Sequence, residues 1–530
     1  MANKQLFSSS RGRTVKIADA VNAAGGKAYE MDAKAALARY AATGCLSNTY
    51  YVKAEDHLDR VLELADKCEP EFVAKLAIFA RKQGHMKDMP ALLVAYLAAK
   101  KSPFVKPAFY GVIDNGRMLR NFVQIIRSGK LGRKSLGSGP RNLVRDFLNS
   151  RNPNWVFRQL AVGQDPSGAD IIKMVHPKAT DPRYDALFGY MIGKVKPGSE
   201  KFIQAPRVVH DFEAWKANPT DAEIPAVPFE LLTAQPLNKE QWIRIFELGG
   251  WHFIRMNINT AARHGALDDL ALMIAGRLRN REEILKSRVM PFQLMAAYKH
   301  IDRTVVPRRI VDALHDAMEI SVENVPELKG KTFVIVDVSG SMGQPVTGYR
   351  TAKNSKVRCV DAAAILAVSL ARKNEDTIVL PVDTSVHSKF TIEPRNTIIT
   401  EAERLSRFCG GGTALSAGLN YIYKYKHKVD NLVIISDQES WADHPWYGRN
   451  AGTTCMQAWE AIRANNSRRD PKMVCIDIVP GRTHQFDSHP EILHVAGWND
   501  SVFKVMSSFF NHDAESWLKV IETIPLTPGD

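Results

Sequence analysis

The chain has 530 residues, 45% of them apolar and 24% charged, with a net charge of +14. That is a globular composition of two to four domains. No run of eighteen apolar residues favours a membrane span, and MANKQLFSSSRGR at the start lacks the apolar core of a secretory signal. The six cysteines (Cys45, Cys68, Cys359, Cys409, Cys455 and Cys475) have irregular spacings and no CxxC, which suggests neither a zinc site nor a disulfide framework but reduced thiols in the cytoplasm.

Taken in order, residues 15–320 read as short helices. Apolar stripes predict helices over 32–40, 57–65, 72–81 and 91–99, with Pro70 and Pro90 placed to open two of them at the first helical position. Tyr50, Tyr51 and Val52 follow a loop around Gly44. The pattern continues over 118–128, 142–149, 155–162, 239–247, 254–262, 267–277, 290–299 and 306–322. Many short helices without strand signals suggest stacked hairpins, a solenoid-like arrangement of degenerate repeats. Residues 198–236 are proline-rich but carry Val209, Phe212, Trp215, Phe229 and Leu231, so they read as an ordered connector.

Charge is unevenly spread. Residues 101–210 hold 19 basic against 7 acidic side chains, whereas residues 331–530 hold 22 of each. Between 115 and 160 stand Arg117, Arg120, Arg127, Lys130, Arg133, Lys134, Arg141, Arg145, Arg151 and Arg158 with one acid, Asp146. Ten cations repel one another without a counter-charge, so the block reads as a polyanion site on a domain of its own. Arg outnumbers Lys, which favours bidentate phosphate contact and stacking on bases. Phe122, Phe147, Trp155 and Phe157 interleave with it, and each taken singly is a core residue first. GKLGRKSLGSGPRN (129–142) is a loop. Gly132 and Gly137 have phosphate-loop spacing, but Ser138 stands where the lysine is needed.

From 331 onward strands and helices alternate: strands over 332–337, 377–382, 431–436 and 472–478, helices over 357–372, 414–425, 454–465 and 513–522. That is a doubly wound α/β sheet. The first strand ends in DVSGSMG (337–343). Asp337, Ser339 and Ser341 are hard oxygen ligands on one tight loop, too few to saturate an ion. GGGTALSAGL (410–419) brings in Thr413, and NLVIISDQES (431–440) ends a second buried strand in Asp437. No G-x-G-x-x-G fingerprint follows any strand. The histidines are dispersed, and no nucleophile–base pair stands out.

These three pieces in order resemble the metal-ion-dependent adhesion site of von Willebrand factor A domains, whose roles fall on Asp337, Ser339, Ser341, Thr413 and Asp437. An A domain behind a basic helical domain resembles the Ro autoantigen family, whose helical part is the TROVE domain. The resemblance extends to ALARYAATGCLSNTYYVKAE (36–55), ARKQGHMKDMPALLVAYLA (80–98), VPFELLTAQPLNKEQW (227–242) and RVMPFQLMAAY (288–298). It implies an amino-terminal segment (1–19), a TROVE-like domain of HEAT-like helical repeats closed into a ring (20–328), and an A domain (329–530). It also implies a divalent cation, Mg²⁺ first, with Mn²⁺ or Ca²⁺ left open by oxygen ligands.

The function the resemblance implies is non-catalytic binding of RNA. Small Y or Y-like RNAs would lie on the basic outer surface, and single-stranded 3′ ends of misfolded RNA would enter the central hole. The setting would be RNA quality control, maturation or decay in the cytoplasm, with an exoribonuclease as a partner of a monomeric ring. The contacts it implies are Arg117, Arg120, Arg127, Lys130, Arg133, Lys134, Arg141, Arg145 and Arg158, joined by Lys173 and His176 in PSGADIIKMVHPKA (166–179); Gly168 or Ala169 stands where a relative has a histidine. Two other readings compete. One is a protein-binding module that grips an acidic residue through the cation and has no direct RNA role. The other is a metal-dependent nuclease, which two acids with three hydroxyls serve poorly.

Overall fold

A computed structural model describes residues 15–43, 54–84, 86–179, 181–219, 222–346, 356–443, 452–466, 470–479, 483–497, 500–511 and 517–526. The Tyr50–Tyr51 pair, the Gly44 loop, Cys45 and the start of the expected 513–522 helix lie outside these residues. Two compact units emerge, one of residues 1–67 with 274–520 and one of 68–273 with 521–530.

The first unit is built on five parallel strands: β3 (Thr332–Asp337), β4 (Thr377–Val382), β5 (Asn431–Ser436), β6 (Lys472–Asp477) and β8 (Ile492–Ala496), in the order β4-β3-β5-β6-β8. The 332–337, 377–382 and 431–436 strands match the sequence reading residue for residue, because each is a short apolar run bounded by polar turns. All six positions of β3, β5 and β6 are buried, as strands covered on both faces require. Alternation sorts them. Phe333, Ile335, Leu432, Ile434, Met473 and Cys475 enter one core with Leu419, Ile422 and Trp459. The Cys359–Lys373 helix packs on β3 and β4. After β3 the chain turns to β4, and after β5 to β6, so the adjacent β3 and β5 diverge at their carboxyl ends. That crevice is where open α/β sheets bind ligands.

Four strands and helices escaped the sequence reading of this half: the Ile398–Ser406 helix, β7 (Thr483–His484), β8 and the Asp500–Asn511 helix. Two more lie near the start of the chain, where no strand signal was read. There β1 (Ala20–Val21) and β2 (Lys27–Glu30) form a hairpin, and β2 pairs antiparallel with β7 (Thr483–His484). Next to it the Ala33–Thr43 helix packs against β8. The helices Pro291–His300 and Arg308–Ser321 also pack within this unit, and Lys299 Nζ reaches buried Asp361 at 2.6 Å. This compact unit therefore holds residues from both sides of position 328. Pairing across hundreds of residues leaves no local periodicity to read.

The second unit is helical, with successive helices packed in pairs: Pro70–Lys82 on Asp88–Ala99, Asp88–Ala99 on Gly116–Arg127, and Pro153–Leu160 on both Pro182–Met191 and Arg207–Ala217. Pro70 opens its helix as expected, whereas Pro90 stands third in a helix begun at Asp88. Both lie in the first turn, where a missing N–H costs no helical bond. The described residues of the 198–236 connector bury Val209, Phe212 and Trp215 and hold a short 3₁₀ turn and the Arg207–Ala217 helix.

Candidate functional site

The crevice between β3 and β5 gathers the sequence-expected ligands. Asp337, Ser339, Thr413 and Asp437 are buried, and Ser341 is half-buried. The Ser339 N–H donates to Asp337 Oδ1 at 2.8 Å, and the Ser339 and Ser341 hydroxyls lie 3.2 Å apart. Both hydroxyls therefore turn to one point, as their spacing of two predicts. The glycine loop closes over them: Gly340 N–H donates to the Gly411 carbonyl at 3.1 Å and Gly410 N–H to the Val338 carbonyl at 2.8 Å. Gly411 has φ +70, and a Cβ at Gly412 would come within 2.8 Å of Trp441, so this approach needs glycine. The Thr413 carbonyl accepts from the Trp441 and Ala442 N–H groups, which ties this loop to the one that follows Asp437.

Sequence reasoning missed two members. Ser436, the last residue of β5, donates its hydroxyl to Asp337 Oδ2 at 2.6 Å. Glu439 is a third buried carboxylate, raised to about 7 first by burial and then by the charge of Asp437. A polar residue closing an apolar strand and an acid two past Asp437 were the available signals. Glu439 faces away to a different partner, since its Oε2 accepts from the Ala24 N–H at 3.3 Å. The same turn supplies Asn22, whose Nδ2 donates to the Ser440 carbonyl at 2.8 Å. A Cβ at Gly26 would run into that carbonyl. The β1–β2 hairpin thus clamps the loop that carries Asp437.

The electrostatics fit a cation. Burial and the Asp437 charge push Asp337 up to about 7, and burial also raises Asp437, against the opposing pull of Ser341. Asp437 Oδ2 is buried without a hydrogen-bond donor. Two such carboxylates, framed by hydroxyls, favour a hard divalent ion that displaces their protons. Among the described residues no three His, Cys, Asp or Glu side chains converge as a ligand set. Two acids and hydroxyls leave coordination positions open.

A second buried cluster backs this crevice. The Arg39 guanidinium lies against Asp477, at the end of β6, and against the His484 ring. His484 is held well below its usual range, and His494 is lowered to about 3, by burial first and then by Arg39. Both imidazoles are therefore neutral there.

In the helical unit the basic block divides. Arg120 is buried, its Nη2 donating to the Val162 carbonyl at 3.2 Å, and burial lowers it. Arg133 donates to the Ala98 and Leu136 carbonyls at 3.2 and 2.9 Å, bracing the 128–137 loop, and its guanidinium fills the space where a Cβ of Gly137 would stand. These two serve the fold rather than a free surface. Arg151 lies over Phe147 and Trp155, 4.9 and 5.5 Å from their ring centroids. Arg117, Arg127, Lys130, Lys134, Arg141, Arg158, Lys173 and His176 are exposed, and Arg145 is half-buried.

Two stretches far apart in sequence meet here. Arg145 Nε donates to the Val175 carbonyl at the end of the Gly168–Val175 helix, which carries Lys173 and is capped by His176 in the left-handed conformation at φ 48. Asp170 in its first turn, lowered first by Ser167, also feels Lys173 and Arg127. Arg127, Arg145, Lys173 and His176 therefore share one neighbourhood. The Gly116–Arg127 and Ser138–Ser150 helices both pack on that helix.

Residues 331–510 match the family model of the Ro60 vWA domain. Over 522 residues the chain is 24% identical to a Deinococcus radiodurans protein named RNA-binding protein RO60, covering 92% of this chain and 94% of that one. The fold matches a crystal structure of the Deinococcus radiodurans Ro (RSR) protein with a TM-score of 0.64 and 20% identity, over 90% of this chain and 99% of that one. The Ro-family resemblance and the architecture of helical repeats plus A domain read from the sequence are borne out.

Proposed function

With residues 331–510 matched as a Ro60-type A domain and nearly the whole chain similar to a Ro protein, we propose that this protein binds RNA without cleaving it. A small structured RNA of Y or Y-like kind lies on the helical unit along Arg127, Arg141, Arg145, Lys173 and His176. Single-stranded 3′ ends of misfolded RNA are a second class of ligand, and the cellular role is quality control, maturation or decay, with an exoribonuclease as partner. The observation that supports this best is the meeting of the 115–160 block with the 166–179 segment, chosen from the sequence on separate grounds. Arginine and lysine at such density hold phosphates, and a backbone-led contact cares little for sequence.

The test is fluorescence anisotropy with two RNAs that share one stem-loop, only one carrying a single-stranded 3′ tail. Tighter binding of the tailed RNA supports two ligand classes. The Arg127→Glu, Arg141→Glu, Lys173→Glu triple variant is expected to weaken the tail-less RNA more than tenfold at about 100 mM salt. Unchanged affinity would refute the assignment of this face.

The metal site supports a companion role. Its open positions suit an acidic side chain of a protein partner, and Trp441, 55% exposed, stands beside it. A partner captured by the native chain and lost with Asp337→Ala, while stem-loop binding persists, would separate the two roles.

A further inference from the structure

The A domain is neutral as a whole, yet one cleft in it is not. A cavity of about 550 Å³ opens between the loop after β4 and the carboxyl end of the Ile398–Ser406 helix. Its lining includes His387, Lys389, Phe390, Arg404, Arg407 and Phe408, and no acid. Phe390 is buried and meets Phe408 edge-to-face at 6.0 Å, while the His387 ring lies 4.5 Å from Phe408. Arg404 sits 5.6 Å over the Phe390 ring and is fixed by buried Glu401 at 2.7 Å. His387 is held by Asp383 at 3.1 Å. Lys389 and Arg407 are exposed and make no ion pair among the described residues. The rim is ordered: His387 N–H donates to the Pro381 carbonyl and Phe390 N–H to the His387 carbonyl, both at 3.0 Å.

Aromatic faces and free cations within one cavity call for a ligand with both a flat ring and an anion. The volume lies within the range of small-molecule sites. Stacking suits any base, and Arg with Lys suits phosphate. We propose that this cleft binds a nucleotide, its base against Phe408 and its phosphate between Lys389 and Arg407. The site is separate from the basic face of the helical unit and does not depend on the RNA reading. Arg407 caps its helix, where part of its charge answers the helix dipole, so Lys389 carries more of the phosphate contact.

Calorimetric titration of the full chain tests this with adenosine 5′-monophosphate, adenosine, inorganic phosphate and a 5′-phosphorylated adenosine dinucleotide. Adenosine monophosphate is expected to bind at least tenfold more tightly than adenosine or phosphate. Lys389→Ala should weaken it more than Arg407→Ala, and the double variant at least tenfold. Both positions are on the surface, so the fold is kept; Phe408→Leu, with its melting curve checked, should lose the preference for the nucleotide over phosphate. A dinucleotide that binds more tightly than the mononucleotide assigns the site to an RNA chain end, and equal binding assigns it to a free nucleotide. Adenosine monophosphate that binds no better than phosphate, or equally well to the double variant, overturns the proposal. Stem-loop binding by that variant should stay at the native level, so this test and that of the RNA reading fail separately.

Discussion

The cation proposed for the crevice between β3 and β5 predicts a pH dependence that its removal should expose. Without a cation, Asp337 is raised from the ordinary carboxylate value to about 7, by burial and by Asp437. The folded state therefore binds a proton more tightly than the unfolded chain. Stability of the cation-free protein should be greatest in acid and fall as pH rises from about 4 to about 7, then level off. A rise of about three pH units corresponds to a ceiling of roughly 4 kcal/mol, which a bound cation can restore by replacing the proton. For a domain of this size 1 kcal/mol is about 2–4 °C in melting temperature, so the gap at pH 8 could approach about 10 °C and should nearly close at pH 5. The assay is thermal denaturation in Mg²⁺ and in EDTA at half-unit pH steps. Asp437→Asn should make the EDTA curve flatter and abolish the response to Mg²⁺. Parallel Mg²⁺ and EDTA curves across pH, or an Asp437→Asn variant that still responds, would refute the reasoning.

The basic face predicts a change in slope rather than in affinity alone. Replacing Arg127 and Lys173 by Ala should lower the slope of log K against log salt by about 1.4–1.8 for stem-loop RNA, whereas Arg133→Ala should cost stability and leave the slope unchanged; anisotropy across a salt series checks both. Arg39→Ala strands buried Asp477 and should destabilise the first unit by about 3–5 kcal/mol in urea unfolding. Gly26→Ala drives a methyl into the Ser440 carbonyl, so the hairpin should release and amide exchange at 438–441 should quicken, with little change in the helical unit.

The parts of this molecule that could be read from sequence are those written locally. The strands at 332–337, 377–382 and 431–436 announce themselves as short apolar runs between polar turns. The D-x-S-x-S loop has a spacing that forces Ser339 and Ser341 together. Ser436 and Glu439 stand within NLVIISDQES, but their roles depend on Asp337 across the sheet and on Ala24 from the start of the chain, which no local spacing marks. Charge counting found the basic block but gave every cation equal weight. Whether a guanidinium faces solvent or braces a loop is decided by carbonyls from other helices, as Ala98 and Leu136 decide it for Arg133 and Val162 for Arg120. The helix stripe over 32–40 marked a buried face, yet nothing local indicated that Arg39 stands on it with Asp477 as its partner.

The β2–β7 pairing has a consequence for the order of synthesis. Glu30 and Thr483 lie opposite each other across 453 residues of chain. At about 5–20 residues per second a ribosome needs roughly 20–90 s to deliver the partner after the hairpin has emerged. Through that interval β2 has a bare edge, but at four residues it is too short to template much misassembly. The clamp on the loop after Asp437 is therefore among the last contacts to form. A truncated product ending before residue 483 would carry Asp337 and Asp437 yet lack the strand that seats the hairpin, so a ligand specific for the finished metal loop would distinguish completed chains from interrupted ones.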